Sequence, residues 1–400
     1  MIFPLLKKNI DTLLIAGLSG LLFWFIIAVV PNTDIMFHSW MLMKFHAGTI
    51  SLPPNFLYYL LVYSLSCFSG EEQDLFIASG ILLSIAVSAK YLITKKIVRT
   101  YLSNQDLNLS ASQIGRISIL LAFSMLFLFA IPDGYNVFQL KFYYLGRTTA
   151  NIWHNSTTIA LMPFALLLFW KQYKVLHSLE KVSNRTLFIL SVLVIFNCII
   201  KPSFLFVYIP ITGLFLLHKF GFKQFRALLR NSIPLLVGAI LILIFQALIY
   251  QYELGQYQPT KSKVELVRAF NFWLTYLPAW YIPFCFLLSY AFPIFFLVLN
   301  FKQIKGDKIF LYPIALVLFG LLLSIFIDES GGRSEHGNFT WQNHICCYIL
   351  MLTTALLALK LHFKNQLPKW QSYILMALYL LHFVSGILYF VYMGYSKSFL

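Results

Sequence analysis

Asp34 and His38 stand four residues apart in the segment 31–59. On a helix that spacing puts a carboxylate and an imidazole on one face. A carboxylate so placed can take a proton from a hydroxyl as a general base, and with an imidazole it can hold a divalent cation such as Mg or Mn. Asn32 or Thr33 can cap the helix, Gly48 can end it, and His46 falls roughly on the same side. The plainer reading is an interfacial helix whose acid is a solvated N-terminal charge stabilised by the helix dipole.

Two further stretches carry chemistry-bearing residues. The first runs from Asp133 through Arg147 to Trp153, His154 and Asn155. Rings can stack on sugar faces and amides can bond hydroxyls, although Trp and Tyr at such places also form ordinary interface belts. Asn155-Ser-Thr matches a glycosylation acceptor, a three-residue pattern of low specificity. The second, 328–344, is the densest polar stretch and holds Arg333, Glu335 and His336 behind a glycine pair. Glycines let backbone amides approach an anion, and Arg333 can hold a phosphate oxygen. Lys201, in a turn of two or three residues between apolar runs, can neutralise a lipid phosphate or simply snorkel. There is no Gly-x-Ser-x-Gly elbow, phosphate-binding loop or His-Glu-x-x-His.

The elements that must position these residues are membrane helices. The chain is 400 residues long, 60% hydrophobic and only 11% charged, more apolar surface than a soluble fold can hide. The apolar runs are long and without alternation, as in helices rather than a lipid-facing barrel. They predict an all-α polytopic protein of about eleven spans: 11–30, 73–94, 117–132, 157–170, 186–200, 204–217, 232–250, 282–299, 309–327, 344–361 and 371–393. The first run has no cleavage site behind it and reads as a retained span. The five cysteines lie mostly in apolar segments, without disulfide or zinc spacing.

Lys7 and Lys8 put the N-terminus in the cytoplasm, and Lys95, Lys96, Arg99 and Arg116 put the segment after 94 there too. An even number of crossings must separate them, so the apolar run 55–69 is predicted to lie at the outer face as a juxtamembrane helix. The other loops then alternate, with 20 of the 30 Lys and Arg inside. Lys90, near the inner end of its span, is free to snorkel. The +16 formal charge sits in short connectors, which excludes a nucleic-acid surface. The outer loops 31–72, 133–156, 251–272 and 328–343 gather the acids, His, Trp and Asn. One integral membrane domain covers the chain, with no separate soluble part.

The first loop resembles the glycosyltransferase C superfamily, multi-span enzymes that use polyprenyl-phosphate-linked sugars. The resemblance rests on Asp34, His38, Ala47, Gly48, Pro53, Pro54, Tyr58, Tyr59 and Gly70, with Pro132 after the third span. It covers roughly the first third of the chain. Many members pair two acids at the first site, where this chain has Thr33 before Asp34, and Leu52 precedes Pro53-Pro54 in place of the usual His. The resemblance implies outer juxtamembrane helices and transfer of a sugar from a polyprenyl phosphate or diphosphate to a lipid- or glycan-linked acceptor. Asp34 would be base or metal ligand, Lys201, Arg333 and Arg147 would hold the phosphate, and Trp153, His154 and Asn155 the sugar. Two other readings stay open: an O-antigen-type polymerase or ligase relying on outer Arg and His, and a lipid-linked oligosaccharide flippase. Short loops favour a bacterial inner membrane.

Overall fold

A computed structural model describes residues 10–178, 182–252, 254, 263–330 and 337–399. Among the described residues the regular structure is almost all helix. It is a multi-pass membrane protein: eight helices are long and apolar enough to cross a bilayer, and a bent pair makes a ninth candidate. Each of the eleven predicted runs coincides with helix, but not all as full spans. α1 (Ile10–Val29) leads to α2 (Asp34–His46), α3 (Leu57–Leu65) and α4 (Glu72–Ser103). α3 has nine residues, about 14 Å, against roughly 30 Å of hydrocarbon, so it cannot cross.

α5 (Ala111–Met125) ends seven residues short of the predicted run 117–132. After a long connection come α6 (Ser156–His177), α7 (Asn184–Ile200), α8 (Ser203–Phe220) and α9 (Phe225–Tyr250). A short strand β1 (Lys263–Leu266) and α10 (Asn271–Tyr276) precede α11 (Ile282–Ser289) and α12 (Ala291–Ile304). The run expected as one span at 282–299 is thus broken, its halves bent by 73°. α13 (Lys308–Phe326), strand β2 (Ile327–Ser330), α14 (Trp341–Phe363) and α15 (Lys369–Ser396) complete the chain. β1 and β2 pair antiparallel, Glu265 opposite Asp328, a two-stranded sheet that the apolar pattern did not announce.

The centre is α14, whose apolar window is 83% buried, with α6 at 72%; α1 and α9, at 22%, face outward. α4 packs on α1, α5 and α6, while α13 and α8 flank α14. At one end, loops expected on the same side meet. Lys95 bonds Asp11 at 2.5 Å and Lys360 reaches Asp307 at 3.3 Å. Lys219 donates to the carbonyls of Val175 and Ser178, and Arg230 to Asn184. The loops expected opposite meet at the other end, as the strand pair already shows.

The connection 126–155 carries the fold's main departure from expectation. It is not a solvated loop. Leu126 to Ala130 and Arg147 to Asn155 are buried although mostly without helix. Irregular backbone at membrane depth is tolerable only where protein satisfies it, and here it does. Phe129 N–H bonds the His382 carbonyl at 3.0 Å, His382 Nδ1 meets the Phe129 carbonyl at 2.6 Å, and Ser385 donates to Ala130. Ile131 N–H finds the Leu288 carbonyl. A Cβ at Gly386 would fall 1.6 Å from the Phe127 carbonyl oxygen, so only glycine lets α15 approach this strand of backbone.

Candidate functional site

Four helices begin at one place: α2 at Asp34, α6 after Asn155, α8 after Lys201-Pro202 and α14 at Trp341. Helix starts leave backbone N–H groups unbonded and present partial positive charge. Asn155 is the N-cap of α6, its Oδ1 accepting from Thr158 N–H at 3.0 Å. That same oxygen accepts from Lys201 Nζ at 2.9 Å, while Nδ2 donates to Asp34 Oδ2. Lys201 Nζ also donates to the hydroxyls of Thr157 (3.2 Å) and Thr158 (3.0 Å) and sits 4.6 Å from the centre of the Trp341 ring. Carboxylate, amide and ammonium therefore form one line across the junction, drawn from three distant parts of the chain.

Burial sets the electrostatics. Asp34 is half-buried, and desolvation raises its pKa against the opposing influence of Lys201 and Asn155. Lys201 is pushed down to about 7 by burial, Asp34 pulling the other way. Burial thus moves both groups toward their neutral forms, and perturbed groups of this kind cluster at functional sites.

His38 lies on α2 as expected but turns to another partner. Its Nδ1 is 2.7 Å from the Tyr59 hydroxyl, and its ring packs edge-on against Tyr58 and Tyr59. Burial, then the Lys201 charge, lowers its pKa to about 3, so it is neutral. The notion of Asp34 and His38 as a Mg or Mn site does not fit these residues. Among the described residues no three His, Cys, Asp or Glu gather as a metal would need. Asp34 already has an amide donor on it and an ammonium behind that, at the positive ends of four helices.

His154 is 3% exposed, its Nε2 3.0 Å from the Tyr144 hydroxyl and its ring edge-on to Trp341. It therefore borders the line. Trp153 does not: 2% exposed, it packs against Phe23, Phe127 and Phe390, a core ring rather than a sugar platform. Asp133 and Arg147 pair with one another, and Tyr281 bonds both. Arg147 also donates to the Ile131 carbonyl at 2.5 Å, so it fastens the buried connection. Asn155, 2% exposed and bonded at both ends, is closed to glycosylation. Arg333, Glu335 and His336 lie outside the described residues. Trp341, in the described part of the same polar stretch, stands at the site beside Lys201. His344 borders the site through its ring, 5.7 Å from that of Trp341, while the Thr149 N–H donates to its Nδ1 at 3.1 Å.

Lys90 corrects another expectation. It does not snorkel: it is 5% exposed and donates to Asn151 Oδ1 at 2.7 Å, with the Trp153 and Tyr348 rings beside it. Asn151 Nδ2 in turn donates to the carbonyls of Met125 and Leu128. Sequence reasoning had Tyr59 only as part of the motif and Tyr144 and Trp341 only within the polar stretches, and it missed this use of Lys90. For Lys90 a signal existed, since an ionisable residue within a span is a functional candidate by default.

Fold and site define a multi-pass integral membrane protein with a charged, partly buried junction at one end of its bundle. Comparison with family models, curated proteins and solved structures finds no match to this chain.

Proposed function

We propose that the protein is a membrane glycosyltransferase that moves a sugar from a polyprenyl phosphate or diphosphate to a lipid- or glycan-linked acceptor. The observation that carries the reading is the Asp34–Asn155–Lys201 line at four helix starts. It offers a base and, an amide's length away, a cation with backbone N–H groups suited to an oxyanion. Asp34 takes the proton of the acceptor hydroxyl. The oxygen forms a bond to the anomeric carbon as the bond from that carbon to phosphate oxygen breaks, with inversion. Lys201 and the helix starts stabilise the departing phosphate. Asn155 orients the carboxylate, and His154 with Tyr144 borders the sugar.

In this reading the chain crosses the membrane eleven times, the shorter helices α5 and α7 and the bent pair α11–α12 included. The N-terminus is cytoplasmic, the junction faces outward from a bacterial inner membrane, and cell-envelope polysaccharide is the product class. An O-antigen-type polymerase would lean on outer arginines, but Arg147 is committed to Asp133 and Tyr281. A flippase would need a continuous cationic path, whereas Lys201 stands beside a carboxylate.

The test is transfer from labelled polyprenyl-phosphate sugars by purified protein. Asp34→Asn is expected to fold normally and to lose roughly 10²–10⁴-fold in turnover, the usual worth of a general base. Full turnover at matched expression would remove Asp34 from the mechanism.

A further inference from the structure

We propose that Phe399 is a built-in cover over a ring-binding slot, lying on the His154 face where a substrate's sugar ring would stack. The identity of that ring rests on the transferase reading; the cover itself does not. α15 ends at Ser396, and Lys397 adopts a left-handed conformation (φ 52°) that turns the chain back. Ser398 N–H then bonds Ser396 Oγ at 3.2 Å, and the Phe399 carbonyl accepts from the Tyr389 hydroxyl at 2.7 Å. The result is a phenyl ring stacked on the His154 imidazole, centroids 4.3 Å apart and planes at 23°.

The slot's other walls belong to the site. Tyr144 bonds the imidazole edge, and Trp341 stands edge-on to it with the Lys201 ammonium over its own ring. The next residue along the chain, Asn155, holds Asp34. A ring seated on His154 would therefore lie one residue from the carboxylate and beside the cation. Burial, the neighbouring His344 and Lys201 lower the His154 pKa to about 3, so its face is flat and uncharged. Such a face takes the C–H side of a pyranose as readily as a phenyl ring. The phenyl ring also packs, half-buried, against the edge of the apolar core, while the turn and the backbone carbonyl bond are ones that any residue at 399 could keep.

The experiment uses the full chain in nanodiscs, with diethyl pyrocarbonate as probe and mass spectrometry to read His154. In Phe399→Ala, His154 should react at least fivefold faster than in the unaltered protein, while Phe399→Trp should keep it protected. His382, buried against the Phe129 carbonyl, should react equally slowly in all three. Equal His154 rates in the Ala variant and the unaltered protein would overturn the cover. With a labelled polyprenyl-phosphate sugar, Phe399→Ala should lower KM severalfold at unchanged kcat. A fall in kcat at unchanged KM would equally overturn it. If the unaltered protein turns over no donor, the transferase reading fails and the His154 rates alone decide for or against the cover.

Discussion

An amide has a donor end and an acceptor end, and Asn155 uses both, one on Asp34 and one on Lys201. The arrangement fixes which way each charge titrates. Asp34 must be ionised to act as a base, and burial raises its pKa, so activity is lost as pH falls through that raised value. Lys201 must be protonated to hold phosphate, and it sits near 7, so activity is lost again as pH rises past about that point. The expected pH–rate profile is a bell whose alkaline limb belongs to Lys201. Lys201→Arg should move that limb several units upward, because a guanidinium keeps its proton beyond about pH 12. A limb left in place by that change would assign it to another group. Asp34 and Asn155 were both legible as candidates from residue type. Their bond was not, because 121 residues separate them and only tertiary packing brings a cap residue of one helix to the first residue of another.

Among the elements, the connection 126–155 departs furthest from the apolar pattern. Leu126 to Ile131 reads as the end of a span, yet helix stops at Met125 and the backbone continues through the interior. The pattern reports that a residue is apolar and buried; it does not report whether its carbonyls are bonded within a helix or by neighbours. Here the neighbours are Asn151, His382 and Ser385, polar residues whose partners no local spacing reveals. The same packing explains why Trp153, expected to stack on a sugar or to sit in an interface belt, is core. Lys90 and Asn151 hold the connection from below. Asn151→Leu should lower stability by about 1–3 kcal/mol, the cost of buried groups left unpaired. Lys90→Met combined with Asn151→Leu should cost less than the two single effects added, since both remove one bond. Melting in detergent, read by tryptophan fluorescence, measures this. Strict additivity would mean that Lys90 and Asn151 do not depend on each other.

At the scale of the whole molecule, the alternation of basic and acidic loops foretold which segments share an end. Asp11 with Lys95, Asp307 with Lys360, and strand β1 with β2 all join segments assigned to one side. Charge counting works here because loop residues reach only their own end of a bundle about as thick as the bilayer. By parity it also placed 55–69 at the outer face without a crossing, and α3, the helix found there, has only nine residues. Which end faces the cytoplasm is a separate question, and the chain carries its own reporter. Cys67 is exposed in the turn after α3, while Cys198, Cys285, Cys346 and Cys347 are buried. Cys67 shares its end with the Asp34 junction, since α2 and α3 pack together on α4. If Lys7 and Lys8 anchor the N-terminus in the cytoplasm, a membrane-impermeant maleimide added to right-side-out vesicles should label the protein once, and Cys67→Ser should abolish the label. Labelling that appears only after permeabilisation would turn the molecule over. The Asp34–Asn155–Lys201 line would then face the cytoplasm, where soluble nucleotide sugars would also be donors within reach.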